Sequence, residues 1–217
     1  VTRFRRSPGV RGGREVYPRP AMRSRNLPCC PCCGLSAPAC PGADTPRIAT
    51  RVGVVIVVHA FELHKTSNTA RLARRMLSRC ELRVHGGRDP IAAPALPARR
   101  LLLFPAEGAR ELCADDARDG STVLVVPDGT WGQARRMMRR DPVLIGAEPV
   151  TLPPGPASSY SLRRAREQGM LSTYEAVARA MGILEGPTVE RAMLEVFDRF
   201  VERMLALRGA RGGQTAG

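Results

Sequence analysis

Lysine is all but missing from this 217-residue chain: of its 34 basic residues, Lys65 is the one Lys and the others are Arg. Aromatic residues are scarce, at 4%, and a single Trp stands at position 131. Acids number only 20, which leaves a formal net charge of +14 and a pI near 10.9. No apolar run approaches the ~20 residues that cross a bilayer, which leaves no candidate membrane-spanning helix. The longest run, Val54–Val58, has the length of a buried strand. The basic N-terminal stretch has no apolar segment behind it, so no secretory signal is expected and the expected location is cytoplasmic. Neither a Gly-x-Gly-x-x-Gly fingerprint nor a Walker phosphate loop occurs. Dinucleotide binding and NTP hydrolysis thereby lose their main support.

What is present is positive charge, which points to a polyanionic partner such as nucleic acid. The Arg bias, with abundant Ala, Gly and Pro, matches a GC-rich coding sequence. That inflates Arg but does not account for the shortage of acids. Residues 1–28 hold eight Arg and one acid, Glu15, and so carry +7 of the total. They lack hydrophobic periodicity and read as a disordered basic arm, either an RNA-affinity element or an inert tail. Seven Cys are present, five of them between Cys29 and Cys40, with Cys80 and Cys113 isolated. Without a secretory signal, such clustering reads as metal binding before disulfides.

The rest alternates between apolar strands and helices. Val52–Val58 predicts a strand ending at His59. A loop over 60–66 leads to a helix over Ser67–Arg79, capped by Thr66 or Ser67. Its apolar stripe is Leu72, Met76, Leu77 and Cys80, with Arg71, Arg74, Arg75 and Arg79 mostly outside it. Further strands are expected over Leu82–His85, Leu101–Phe104, Thr122–Val126 and near Pro149–Leu152, with a Pro/Ala connector over Pro90–Arg99. A basic helix follows Trp131 and stops at Asp141-Pro142. Ser172 or Thr173 can cap a helix reaching Met181, with Glu175 in its first turn. A long amphipathic helix over Val189–Leu207 closes the chain. This order predicts an α/β fold, a mainly parallel sheet with helices on both faces. Ligands of such sheets sit beyond the carboxyl ends of the strands. The residues to inspect are therefore His59, the Pro105–Ala109 loop and Asp128–Trp131.

Asp128-Gly129-Thr130-Trp131 is the sharpest local feature. Gly129 permits a tight turn and close backbone approach. Asp128 can hold an ammonium or accept a proton, and Trp131 can stack on a base. The plainer alternative is a turn whose Asp caps the helix and whose Trp fills the core.

Taken in order, the segments resemble the DTW-domain family of tRNA-uridine aminocarboxypropyltransferases. They are the Cys cluster, His59-Ala60-Phe61-Glu62, Lys65, Asn68-Thr69, Leu103-Phe104-Pro105-Ala106-Glu107-Gly108-Ala109, and Asp128-Gly129-Thr130-Trp131 with Gln133-Ala134. Ser159-Tyr160 with Arg163, Leu171-Ser172-Thr173-Tyr174-Glu175-Ala176 and Phe197-Asp198 complete the set. The resemblance spans about residues 29–205. It implies a SPOUT-like fold with a C-terminal trefoil knot and a small N-terminal Cys-rich zinc segment. The implied plan is a basic arm at 1–28, the Cys-rich segment at 29–48, a catalytic domain at 49–207 and a flexible tail at 208–217.

The resemblance further implies S-adenosylmethionine (SAM) as donor and N3 of a tRNA uridine as acceptor. Asp128, Trp131 and His59 are the implied catalytic candidates, Asp128 as base or as holder of the SAM ammonium. Pro105, Glu107, Gly108, Asp128, Gly129, Thr130, Leu171, Ser172, Thr173 and Glu175 are candidates for the SAM cradle. Lys65, Asn68, Arg71, Arg75, Arg135, Arg136, Arg139, Tyr160 and Arg163 are candidates for RNA contact. Zinc would fall to Cys30, Cys33 and Cys40, the family's fourth position being Gly42, with Cys29 or Cys32 to complete the set. His64 and His85 carry no motif and read as surface or structural. The expected partner is tRNA, with no membrane and no obligate protein partner, the chain acting as monomer or homodimer. Two other readings stay open: a SPOUT-type RNA methyltransferase and a non-catalytic zinc-ribbon RNA-binding protein.

Overall fold

A computed structural model describes residues 30, 35, 37–42, 45–63, 65, 68–87, 99–118, 120–158 and 170–212. The 1–28 arm, Cys29, Cys32, Cys33, His64, Thr66, Ser67, the connector over 90–98, Ser159, Tyr160 and Arg163 lie outside the described residues. The strands are β1 (Gly53–His59), β2 (Cys80–His85), β3 (Arg100–Leu103), β4 (Arg110–Glu111), β5 (Val123–Asp128) and β6 (Glu148–Thr151). The helices are α1 (Ala60–Leu63), α2 (Ala70–Met76), α3 (Trp131–Arg140), α4 (Thr173–Glu185) and α5 (Pro187–Gly212).

The six strands form one sheet in the order β2-β1-β5-β3-β6-β4, and every pairing is parallel. Period-two alternation divides the Val- and Leu-rich strands between two cores. Val54, Ile56, Val58, Leu101, Leu103, Leu124 and Val126 join the larger core with α2, α4 and α5. Val55, Val57, Leu102, Val123 and Val125 face the opposite way, onto Met137 of α3 and the Val143-Leu144 turn. The expected helices on both faces are present. No described helix is long and apolar enough to cross a membrane.

Several boundaries differ from expectation. The predicted loop over 60–66 contains the short helix α1. The next helix starts at Ala70 rather than Ser67, because Asn68 Oδ1 accepts the Ala70 N–H at 2.9 Å. Cys80 does not continue that helix's stripe: it opens β2, the chain having turned extended at Leu77. Beyond Met181, α4 runs on to Glu185, and α5 begins at Pro187, a residue preorganised for a first helical turn. The two-residue strand β4 and a 3-10 turn over Ala114–Ala117 were not expected. That turn is anchored by buried Asp116. Its carboxylate accepts two bonds from Arg110, at 2.9 and 2.7 Å, and one from Arg99 at 2.8 Å.

Candidate functional site

Three segments distant in sequence meet at the carboxyl end of β5. Asp128, its last residue, is half-buried. Asn68 Nδ2 donates to Asp128 Oδ2 at 3.1 Å, and Thr173 Oγ1 donates to Oδ1 at 2.5 Å. Two side-chain donors, one on each oxygen, fix the orientation of this carboxylate. Asn68 is only 6% exposed. Its other amide hydrogen goes to the Glu62 carbonyl at 3.1 Å, and its Oδ1 takes the Ala70 N–H. Asn68 was expected at the RNA surface; the fold buries it as the brace between the loop after β1 and Asp128.

Thr173 reaches Asp128 because α4 starts there. Ser172 caps this helix: its Oγ accepts the Glu175 N–H at 3.2 Å, and Glu175 Oε2 accepts the Ser172 N–H at 2.7 Å. This reciprocal cap is the one its Ser-x-x-Glu spacing encodes. Ser158 Oγ also donates to the buried Glu175 carboxylate. Glu175, a SAM-cradle candidate by resemblance, is therefore committed to closing the loop before α4. Behind the cap, Tyr174 stacks on Phe197 at 5.0 Å and donates its hydroxyl to the Met193 carbonyl at 2.9 Å. That fixes α4 against α5.

The Asp128–Trp131 turn departs from both halves of the plainer reading. Thr130, not Asp128, caps α3, in a reciprocal cap with Gln133. Trp131 is not core: it is 44% exposed and meets Phe104 edge-on at 5.1 Å. A Cβ on Gly129 would stand 3.0 Å from Gln133 Oε1 and 3.5 Å from His59 Cβ, so glycine lets this turn pack close to both.

His59 ends β1 one residue beyond Val58, the partner of Asp128 in the parallel register. Its Nδ1 accepts the Phe61 N–H at 3.3 Å. The neutral ring therefore carries its proton on Nε2. Partial burial, followed by the charges of His85 and Arg136, pulls its pKa below the usual value, against an opposite pull from Glu62. His59 thus presents an N–H donor rather than a base. His85, as expected, has a structural partner: its Nδ1 meets the buried Asp141 carboxylate at 2.9 Å.

The remaining candidates separate by exposure. Pro105, Glu107 and Gly108 lie on an exposed turn, with the Ala109 N–H bonded to the Ala106 carbonyl and Gly108 at φ 75°. That is the left-handed position at which glycine is favoured. Leu171 is half-buried just before α4. Lys65 is exposed and pairs with Glu62 at 2.6 Å. Arg71 is half-buried, its guanidinium donating to the Leu63 carbonyl at 2.7 Å, and Arg75 is half-buried as well. Arg135, Arg136 and Arg139 stand exposed on α3.

Of the proposed zinc ligands, Cys30 and Cys40 are described, half-buried against the larger core. Cys40 Sγ accepts the Gly42 N–H at 3.4 Å. Among the described residues no three metal-binding side chains come together. The reading from sequence quoted Phe61 and Gln133 within segments but gave them no role, and it did not name Ser158. The Thr-x-x-Gln spacing of 130 and 133 was a usable signal for Gln133; Ser158 had none.

The DTW domain family matches the chain over residues 27–205. A protein of Drosophila melanogaster named tRNA-uridine aminocarboxypropyltransferase 2 is 30% identical over 154 residues, covering 67% of this chain and 61% of that protein. One of the same name from Macaca fascicularis is 28% identical over 156 residues, covering 67% of this chain and 52% of its own length. The chain thus spans between half and two thirds of the relatives it matches. No solved structure matches it.

Proposed function

The chain belongs to the DTW-domain family, and from that membership we propose that it transfers the 3-amino-3-carboxypropyl group of SAM to N3 of a uridine in tRNA. The observation that carries this reading is the Asp128 carboxylate, held at a strand end by Asn68 and Thr173. All three residues lie within the span that the family matches.

The residues suit such a donor. A cation is matched by the oriented carboxylate, and the turn through Glu107 and Gly108 is exposed. Bound there, SAM would supply an activated carbon, which uridine N3 attacks as the carbon–sulfur bond breaks and methylthioadenosine leaves. Asp128 would hold the ammonium of the methionine part or take the N3 proton. The His59 Nε2–H would donate to a carbonyl oxygen of the uracil as negative charge develops. Trp131, half-exposed beside Phe104, would offer a ring face. Pro105, Glu107, Gly108, Thr130 and Leu171 would border the donor. Thr173 and Asn68 would act through Asp128.

For the substrate, Arg135, Arg136, Arg139 and Lys65 would meet phosphates, with Tyr160, Arg163 and the 1–28 arm as further contacts. Arg71 and Arg75 would support them from α2. A zinc held by Cys30, Cys33 and Cys40 with Cys29 would stiffen the segment that docks on α5, where Arg203 donates to the Cys40 carbonyl. The SPOUT-like knot belongs to the same reading. In its favour, β3 stands between β6 and β5 in the sheet, and Thr173 of α4 meets the end of β5.

Asp128→Asn tests the reading. Asparagine can present its oxygen to Asn68 and its amide to the Thr173 hydroxyl, so the fold is expected to survive. Turnover with bulk tRNA, followed by nucleoside mass spectrometry, should fall by about 100-fold or more. A raised SAM dissociation constant marks the ammonium role, and an unchanged one marks the base. Normal turnover by the folded variant would remove Asp128 from the chemistry. S-adenosylhomocysteine as the wild-type product would replace group transfer with methylation.

A further inference from the structure

We propose that Phe61, stacked on His59 beside the Asp128–Gly129 turn, is an open stacking platform for an unpaired nucleobase of the RNA. The proposal rests on the RNA-modifying reading above and extends it to a residue that reading leaves unused.

Phe61 is 76% exposed, the most exposed large apolar side chain among the described residues. It is not a core residue turned out by accident, since α1 already buries Leu63 against the larger core. Its ring stacks on His59, with centroids 5.4 Å apart and planes at 29°, its one ring contact among the described residues. His59 is held in turn by the Phe61 N–H, and its other neighbour is the His85 ring at 6.2 Å. His85 is fixed by buried Asp141. The ring therefore rests on a braced aromatic column, with most of its surface left in solvent.

Place and charge select the occupant. Val58 and Asp128 are partners in the parallel register of β1 and β5. Phe61 and Trp131 each follow three residues later; Phe61 stacks on His59, which lies against the Gly129 turn, and Trp131 opens α3 after that turn. Arg136, exposed on α3, lies close enough for its charge to act on His59. Lys65, two residues past the end of α1, adds an exposed cation that is paired with Glu62. A π face beside cations suits a single-stranded, unstacked base with its phosphates. A protein partner or a second copy would instead need an apolar patch, and the cations Arg136 and Lys65 in this region argue against one.

Three full-length variants test this: Phe61→Ala, Phe61→Leu and Phe61→Trp. The readouts are affinity for unmodified tRNA and for oligouridylate, affinity for SAM, thermal midpoint and mass by light scattering. Loss of one base stack should weaken RNA binding about 5- to 150-fold in the Ala variant. Leu, apolar but not aromatic, should fail as well, while Trp should bind within about twofold of wild type because any aromatic face serves. SAM affinity, midpoint and mass should not change. Unchanged RNA binding in Phe61→Ala, or full rescue by Leu, overturns the proposal. A loss of SAM affinity would assign the ring to the donor's adenine, and a change of mass would assign it to a second copy; either result also overturns it. Wild-type protein that binds RNA through Phe61 but transfers nothing from SAM would sink the transferase reading alone. Active enzyme with indifferent Phe61 variants would sink this one alone.

Discussion

Changing a single nitrogen to oxygen at residue 68 should make the protein's stability depend steeply on pH. In Asn68→Asp, a carboxylate oxygen replaces the amide that donates to Asp128 at 3.1 Å. Two full charges at that distance repel by about 5 kcal/mol at an effective dielectric constant of about 20. At ~1.36 kcal/mol per pKa unit, one carboxyl of the pair is raised by about 4 units above its unfolded value near 3.9. Between those two values the unfolded chain binds fewer protons than the folded one, so stability falls as pH rises. Near pH 4 the pair shares a proton. The introduced carboxyl, in its protonated form, then donates to Asp128 and still accepts from Ala70, and only the bond to the Glu62 carbonyl is lost, at about 1 kcal/mol. By pH 8 the loss should have grown by about 5 kcal/mol. Asn68→Ala is the control: it removes all three bonds and should cost about 2–4 kcal/mol at every pH. Urea unfolding followed by far-ultraviolet circular dichroism from pH 4 to pH 8 measures both. An Asn68→Asp loss that stays flat and parallel to Ala would refute the geometry, because the two carboxylates would not be facing each other.

Two further perturbations probe the frame of the site. Hydrogen bonds from Arg110 hold the Asp116 carboxyl at a pKa of about 2. Its contribution is present above the unfolded value near 3.8 and disappears as pH falls through about 2. Wild type should thus lose about 2 kcal/mol over that window, whereas Asp116→Asn should lack this term in acid titration of its urea midpoint. On α4, a Cβ at Gly182 would stand 2.8 Å from Glu190 Cβ. Gly182→Ala must spread α4 from α5 and should cost about 1–3 kcal/mol, despite alanine's better helix propensity. A rise in thermal midpoint would contradict the packing.

The central strands were legible because burial on both faces demands continuous apolar runs, and Val54–Val58 and Leu124–Val126 supply them. Strand β4 was not: its two residues, Arg110 and Glu111, carry no period, and it exists through pairing with β6 and the ion cluster at Asp116. The start of α2 was ambiguous for a different reason. Thr66, Ser67, Asn68 and Thr69 are all capping residues. A tertiary contact to Asp128, 60 positions away, decides among them. For the same reason Asn68 read as a surface residue when it is a brace. Thr130-x-x-Gln133 and Ser172-x-x-Glu175 could be read locally, since a reciprocal cap needs only neighbours. The exposure of Phe61 could not, because nothing in His59-Ala60-Phe61-Glu62 says which side chain α1 buries.

The position of β5 also has a consequence during synthesis. It lies between β1 and β3, although both precede it in the chain. While the nascent chain leaves the ribosome, β1 can pair with β2, but its other edge stays open, and β3 has no neighbour at all. The slot is filled only when residue 128 has emerged. Until then one edge of Val54–Val58 and both edges of Leu101–Leu103 are unpaired apolar backbone, the kind of edge that recruits strands from other chains. Chaperone cover and a slow rate of translation should therefore govern the soluble yield more than the stability of the finished protein does.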